Sequence, residues 1–192
     1  MPRPQTVEDD ALLARLAGVF CDRGFDGASL THLSEAAGLR KASLYHRFPG
    51  GKRQMAEEVL AHAGDRLDAL TLDLSRGPGT PAERAAKLAE GLDAFYAHGA
   101  KACLLNMLAA PRDEDGPFVD GVRAAFDTLI GAFAALAEDA GAPPEEARAR
   151  AERAAMLLHG GLVVSRGMRS SAPWTRALDA LRDELAPASL AA

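Results

Sequence analysis

Long apolar runs are missing from this 192-residue sequence. No stretch approaches the roughly 18 consecutive apolar residues of a membrane-spanning helix, so no membrane partner is expected. Cysteine is scarce: Cys21 and Cys103 are the only two. Two thiols make no disulfide framework and favour a reduced, cytoplasmic chain. Aromatic residues make up only 5%. Alanine fills much of the apolar share instead, which favours packed helices over packed sheets. The opening MPRPQTVEDD has no apolar segment and is acidic by Glu8, unlike a secretory signal. The five histidines (His32, His46, His62, His98, His159) are dispersed, and no CxxC, HxxxH or carboxylate cluster offers metal spacing. Neither GxGxxG nor a Walker A sequence occurs. Ser165 follows His159 by six residues, on a different side of a helix, so no nucleophile–base–acid set exists. Neither an enzyme nor a cofactor is expected.

Hydrophobic residues amount to 48%, enough for a sizeable core. The net charge of −5 argues against indiscriminate coating of nucleic acid. That total hides an asymmetry. Residues 1–63 carry eight basic and eight acidic side chains, so the negative balance lies downstream. Between Glu35 and Glu57 there is no acid, yet Arg40, Lys41, Arg47, Lys52 and Arg53 fall in that gap. A local cationic window suits a targeted polyanion contact; it equally suits a solvated basic face.

Helix signals recur from end to end. Thr6 with Asp9 forms a capping-box pattern, and Leu12, Leu16, Val19 and Phe20 then make one apolar stripe that Gly24 ends. Ser29 caps a helix over Leu30–Ala37, Gly38 stops it, and a second short helix covers about Lys41–Phe48. Pro49-Gly50-Gly51 breaks the chain before a longer helix, about Lys52–Leu74. Thr80, Pro81 and Glu83 restart helix, which reaches about Ala97. A short apolar helix is expected over Ala102–Ala110, then a polar loop at 111–117. Phe118, Val122, Phe126, Leu129, Phe133 and Leu136 stripe the next helix. Another runs from Pro144 to about Arg169. Its stretch from Met156 to Val164 is apolar nearly all round, which predicts burial on several sides. Trp174, Leu178, Leu181 and Leu185 stripe the last. The expectation is an all-α chain of about nine helices: a helix-turn-helix domain over 1–50, a connecting helix over 51–76 and a helical domain over 77–192.

The sharpest signal is SLTHLSEAAGLRKASLYHRF, residues 29–48. Two short helices meet at a three-residue turn holding Gly38, and Leu33, Leu39, Leu44 and Phe48 allow them to share a core. This is the helix-turn-helix pattern, whose second helix enters the DNA major groove. That helix opens on Arg40 and Lys41, followed by small Ala42 and Ser43. Lys41 can reach guanine acceptors and Ala42 a thymine methyl. An ordinary helical corner is the alternative.

The segment GFDGASLTHLSEAAGLRKASLYHRFPGGK, residues 24–52, resembles the DNA-binding domain of the TetR family of transcriptional regulators. The likeness rests on Gly24-Phe25, Ser29-Leu30, Ala36-Ala37-Gly38, Lys41, Ser43-Leu44-Tyr45-His46, Phe48 and Lys52. It implies a ligand-responsive DNA-binding regulator, most often a repressor, whose partner is a double-stranded operator. By position, Ser29 caps its helix and contacts phosphate, and Thr31 adds a contact. Lys41, Ala42 and Ser43 face the groove, Tyr45 and Lys52 hold phosphates, and His46 stands at the groove edge. Arg40 replaces the usual small cap, trading helix capping for a cation that can read a base. Ala28 stands where Thr is common and removes a hydroxyl.

A single short reading helix touches few base pairs, so specific binding implies a two-fold dimer on a near-palindrome. The last two helices suit the interface. Its candidates are Ala147, Ala151, Ala154, Ala155, Leu158, Gly161, Leu162, Trp174, Leu178 and Leu181, with Gly160 also permitting close approach; an internal core would use the same residues. The family likeness further implies a small-molecule effector among the intervening helices. Candidate lining residues are Tyr96, Leu104, Asn106, Met107, Phe126, Leu129, Phe133 and His159. Asn106 and His159 are polar within apolar runs and need partners, which protein, water or a ligand could supply. FPGGK and CLLNMLA also resemble the drug- and flavonoid-responsive branch, implying a hydrophobic aromatic effector. Cys103 reads either as a buried structural thiol or as a sensor. The competing overall reading is a helical sequestering or protein-interaction module without DNA binding.

Overall fold

The computed structural model describes residues 9–109 and 116–187. Among these the regular structure is nine helices: α1 (Asp9–Gly27), α2 (Leu30–Ala37), α3 (Lys41–Arg47), α4 (Gly51–Arg76), α5 (Pro81–Phe95), α6 (Leu104–Leu108), α7 (Val119–Asp139), α8 (Pro144–Met168) and α9 (Ala172–Leu185). Thr6, and residues 110–115 of the expected helix end and loop, lie outside the described residues. Local chemistry places most boundaries. At α5, Thr80 Oγ1 accepts from the Glu83 backbone N–H (3.3 Å), Glu83 Oε2 accepts from Thr80 N–H (2.8 Å), and Pro81 fills the first turn. At Gly24 the backbone leaves the helix (φ 67°, ψ 179°), and one further helical segment follows before α1 ends.

The chain divides into two compact units that do not follow chain order. The first comprises residues 1–65 and 104–122. Its centre is built from Leu12, Leu16 and Phe20 of α1, Leu33 of α2, Leu44 of α3, and Met55 and Val59 of α4, all buried. A division by chain order at residues 50 and 76 misses the return of α6, which packs on α1 within this unit. Leu104, Leu105 and Leu108 are buried, and Met107 lies against Gly24.

The second unit comprises residues 66–103 and 123–192. Here α9 packs along α8 and against α5. Leu88, Leu92, Leu129, Phe133, Leu136, Leu158, Leu181 and Leu185 form its interior. Arg84 is buried, donating to the Ser75 carbonyl and to Asp139 Oδ2 (2.9 Å). Trp174 is also buried and donates Nε1–H to Asp93 Oδ1 (2.7 Å).

The turn after α5 holds three successive left-handed residues, Ala97 (φ 49°), His98 (φ 56°) and Gly99 (φ 80°). A Cβ at position 99 would stand 2.6 Å from Trp174 Cγ. The indole is fixed by Asp93 and cannot retreat. Gly99→Ala therefore combines backbone strain with overpacking, and should cost about 2–4 kcal/mol of stability. Urea unfolding followed by the fluorescence of Trp174, the only tryptophan, measures this directly; an unchanged midpoint would refute the packing argument.

The expectation that Met156–Val164 is buried on several sides is corrected by the structure. Met156 is 68% exposed, and Val163, Val164 and Met168 are also open. Within the chain, α9 covers only one side of α8, so the opposite apolar face remains uncovered.

Candidate nucleic-acid interface

A capping pair at one end and a glycine at the other fix α2. Ser29 Oγ accepts from His32 N–H (3.2 Å), and His32 Nδ1 accepts from Ser29 N–H (3.3 Å), so His32 takes the place of the usual Glu in a capping box. The helix stops at Gly38, whose left-handed conformation (φ 66°, ψ 26°) turns the chain towards α3. Arg40 begins α3 without a side-chain cap bond, as its departure from a small cap residue predicted. Leu33, Leu44 and Phe48 are fully buried and set the crossing of α2 and α3. Leu39 is half-buried.

This packing leaves one row of side chains facing solvent. Thr31, Arg40, Lys41, Ala42, Ser43 and His46 are exposed, and Tyr45 is 48% exposed. Tyr45 leans towards Gly51, where a Cβ would be 3.7 Å from its ring. Small residues in the middle of the row leave space for close approach of another surface.

The charges sort differently in space than along the chain. Arg47 forms a two-pronged pair with Glu58 (2.9 and 3.4 Å) and reaches Asp9 (3.3 Å). Bonding to Glu58 leads in raising its pKa, so it stays a cation. Arg53 pairs with Glu57 (2.8 Å). Lys52 donates to the Phe25 carbonyl (2.9 Å) and lies over the Phe25 ring (4.4 Å). Of the five cations in the acid-free window, Arg40 and Lys41 alone are uncommitted among the described residues. The sequence missed the Arg47 and Lys52 contacts because their partners lie 11, 27 and 38 positions away. Ala28 is fully buried, so a hydroxyl there would point inward rather than towards a phosphate.

Residues 12–59 match the family described as bacterial regulatory proteins, tetR family. Over those residues the chain is similar to the DNA-binding domain of that family. It is similar to the HTH-type transcriptional repressor KstR2 of Mycolicibacterium smegmatis, 43% identical over 59 residues, 31% of this chain and 28% of that one. Its fold matches a TetR transcriptional regulator from Legionella pneumophila (TM-score 0.81, 18% identity, 95% of this chain and 100% of that one). It also matches a cysteine mutant of the TetR-family regulator CifR complexed with 26-base-pair double-strand operator DNA (TM-score 0.73, 27% identity, 95% and 98% covered). Such proteins are DNA-binding transcription regulators rather than enzymes.

Beyond the helix-turn-helix, the expected effector-lining residues fall in two groups. Leu104, Asn106 and Met107 belong to the first unit; Tyr96, Phe126, Leu129, Phe133 and His159 belong to the second. Tyr96 is buried, packs edge-on to Trp174 (5.7 Å) and donates its hydroxyl to Cys103 Sγ (3.7 Å). Phe126 and His159 come together, ring centroids 4.8 Å apart. His159 is buried, and neither ring nitrogen has a hydrogen-bond partner among the described residues. Burial pushes its pKa down to about 4.

The ten residues expected at a dimer interface are all buried inside the single chain. Ala147, Ala151, Ala154, Ala155, Leu158 and Leu162 lie on the covered side of α8, and Trp174, Leu178 and Leu181 on the inner side of α9. Gly161 does permit close approach, but of α9: a Cβ there would stand 2.6 Å from Ala177 Cβ. The uncovered stripe is Met156, Gly160, Val163, Val164 and Gly167 at i, i+4, i+7, i+8 and i+11. A groove of about 510 Å³ lies beside it, lined by Met156, Leu157, Val164, Pro173 and Ala177 and rimmed by Arg153 and Glu184.

Proposed function

We propose that the chain acts as a homodimeric repressor, held on a palindromic operator and released by a small hydrophobic effector. The observation that carries this reading is the solvent-facing row Arg40, Lys41, Ala42, Ser43, Tyr45 and His46 on a rigid helix, with two cations left unpaired. A sequestering module has no use for such a row. Lys41 and Arg40 read base edges, Ala42 and Ser43 allow the approach, and Ser29, Thr31, Tyr45 and Lys52 position the backbone. An ammonium has three donors, so Lys52 keeps hydrogens for phosphate while bound to Phe25. Two copies pair through the uncovered stripe of α8, where glycines 160 and 167 permit close helix contact.

For the effector, Phe126, Leu129 and Phe133 share a face of α7, and the unpartnered His159 nitrogens supply the polar contact. An aromatic molecule with one hydroxyl or carbonyl fits that chemistry. Release requires that the effector favour one spacing of the reading heads over another.

Protection mapping of the purified protein on its own upstream DNA, at two salt concentrations, tests the reading. A protected palindrome that weakens with salt is expected. Lys41→Ala should cost about 1–3 kcal/mol and shift base preference, whereas Lys52→Ala should weaken all sequences alike and lower the salt slope by about one. Failure on upstream DNA and in random-sequence selection would leave the sequestering module.

A further inference from the structure

The second unit holds a polar cleft that operator binding does not use. It measures about 270 Å³ and lies between residues 98–100, after α5, and residues 165–171, where α8 turns into α9. Among the described residues no Asp or Glu lines it. Arg166 and Arg169 stand at the end of α8, and among the described residues the Arg169 guanidinium has no carboxylate partner. Asp93, which contacts the lining residue His98, is already bound to His98 Nδ1 (2.7 Å) and Trp174 Nε1 (2.7 Å).

Ser165 lines the same cleft, is 4% exposed, and its hydroxyl has no hydrogen-bond partner among the described residues. A helical serine ordinarily bonds a carbonyl in the preceding turn; this one does not. An unmet buried hydroxyl calls for a ligand acceptor or donor. Helix α9 begins beside it; the Ser171 side chain at its N-cap makes no capping bond, while Ala172 N–H donates to Ser170 Oγ (3.3 Å) and Pro173 has no N–H. A helix N-terminus favours negative charge. The opposing C-terminus of α8 is muted, since the Ser165 carbonyl accepts from Ser170 N–H (3.1 Å) and the Arg166 carbonyl from Arg169 N–H (3.3 Å).

We propose that this cleft binds a phosphate-sized oxyanion, held by Arg169 and the Ser165 hydroxyl at the start of α9. The ligand is inorganic phosphate or the terminal phosphate of a small metabolite. Equilibrium dialysis of the full chain against radiolabelled inorganic phosphate in low-salt chloride buffer is the test. One saturable site per chain is expected, with a dissociation constant of about a millimolar or tighter. Trp174, three residues beyond Ser171, should report the same midpoint by fluorescence. Arg169→Ala should weaken binding about ten-fold. Ser165→Ala, which leaves the surface charge untouched, should weaken it about three-fold or more. Lys41→Ala should leave it unchanged. Glycerol phosphate competing as well as phosphate would assign a metabolite's terminal group, and poorer competition the free ion. The proposal is overturned by the absence of saturable binding, by binding that Ser165→Ala or Arg169→Ala leaves intact, or by binding that Lys41→Ala removes.

Discussion

Replacing Val164 with glutamate is expected to leave the subunit folded, prevent its pairing and weaken operator binding by at least about a hundred-fold. Val164 is 47% exposed and sits on the α8 stripe with Met156, Gly160 and Val163. In one subunit the new carboxylate stays in water, so the helical fold should be unaffected. In a dimer it would be buried against apolar surface, where an unpaired charge is strongly disfavoured. Loss of pairing removes the second reading head. The second half-site contact then becomes a separate bimolecular event rather than an intramolecular one, which accounts for the size of the effect. Sedimentation equilibrium and operator titration on the same sample check both parts. A Val164→Glu protein that remains dimeric would place the interface elsewhere.

The second large effect is a pH dependence of stability set by His159. Its folded-state pKa of about 4 lies below the ordinary value near 6.5, and burial alone is the cause. A depressed histidine pKa means that the unfolded chain binds the proton more readily. Above about pH 6.5 both states are neutral at this site and nothing is lost. As pH falls from 6.5 towards 4, only the unfolded state gains the proton, and stability falls by about 3 kcal/mol through this group. His159→Leu should flatten that part of the profile. It should also be neutral or stabilising at pH 7.5, since it removes two buried nitrogens without partners. Urea unfolding of both proteins at pH 7.5, 5.5 and 4.5 gives the comparison. Parallel profiles would show that the imidazole is solvated in the folded chain. The same variant should lose its response to the proposed effector, which would connect the retained instability to function.

The helix-turn-helix was largely legible in the sequence. Ser29, Gly38, Thr80 and Pro81 act over three or four residues, and α2 and α5 begin where those residues place them. The apolar stripe of α1 and the shared core of Leu33, Leu44 and Phe48 were likewise visible as spacing. The electrostatics of the site were less legible. Five cations in an acid-free window read as one patch, yet Glu58, Asp9 and the Phe25 carbonyl engage Arg47 and Lys52 from other helices. Charge along a chain does not report charge across a surface.

The same limit applies to α8. Its sequence is rich in alanine, glycine and apolar residues on more than one side, so periodicity alone could not say which face meets its own chain. Packing by α9, and by α7 with the turn after it, decided it, burying Ala147, Ala151, Ala154, Leu158 and Leu162 and leaving Met156 and Val164 open. His159 follows the same rule: its isolation in an apolar run was plain, but whether protein groups satisfied it depended on neighbours brought from α7. The sequence by itself determined where helices start, stop and turn, because those signals are bonds between near neighbours. Only the tertiary structure decided which cations remain free, which apolar face stays uncovered and which buried polar atoms lack partners, because each depends on residues distant in the chain.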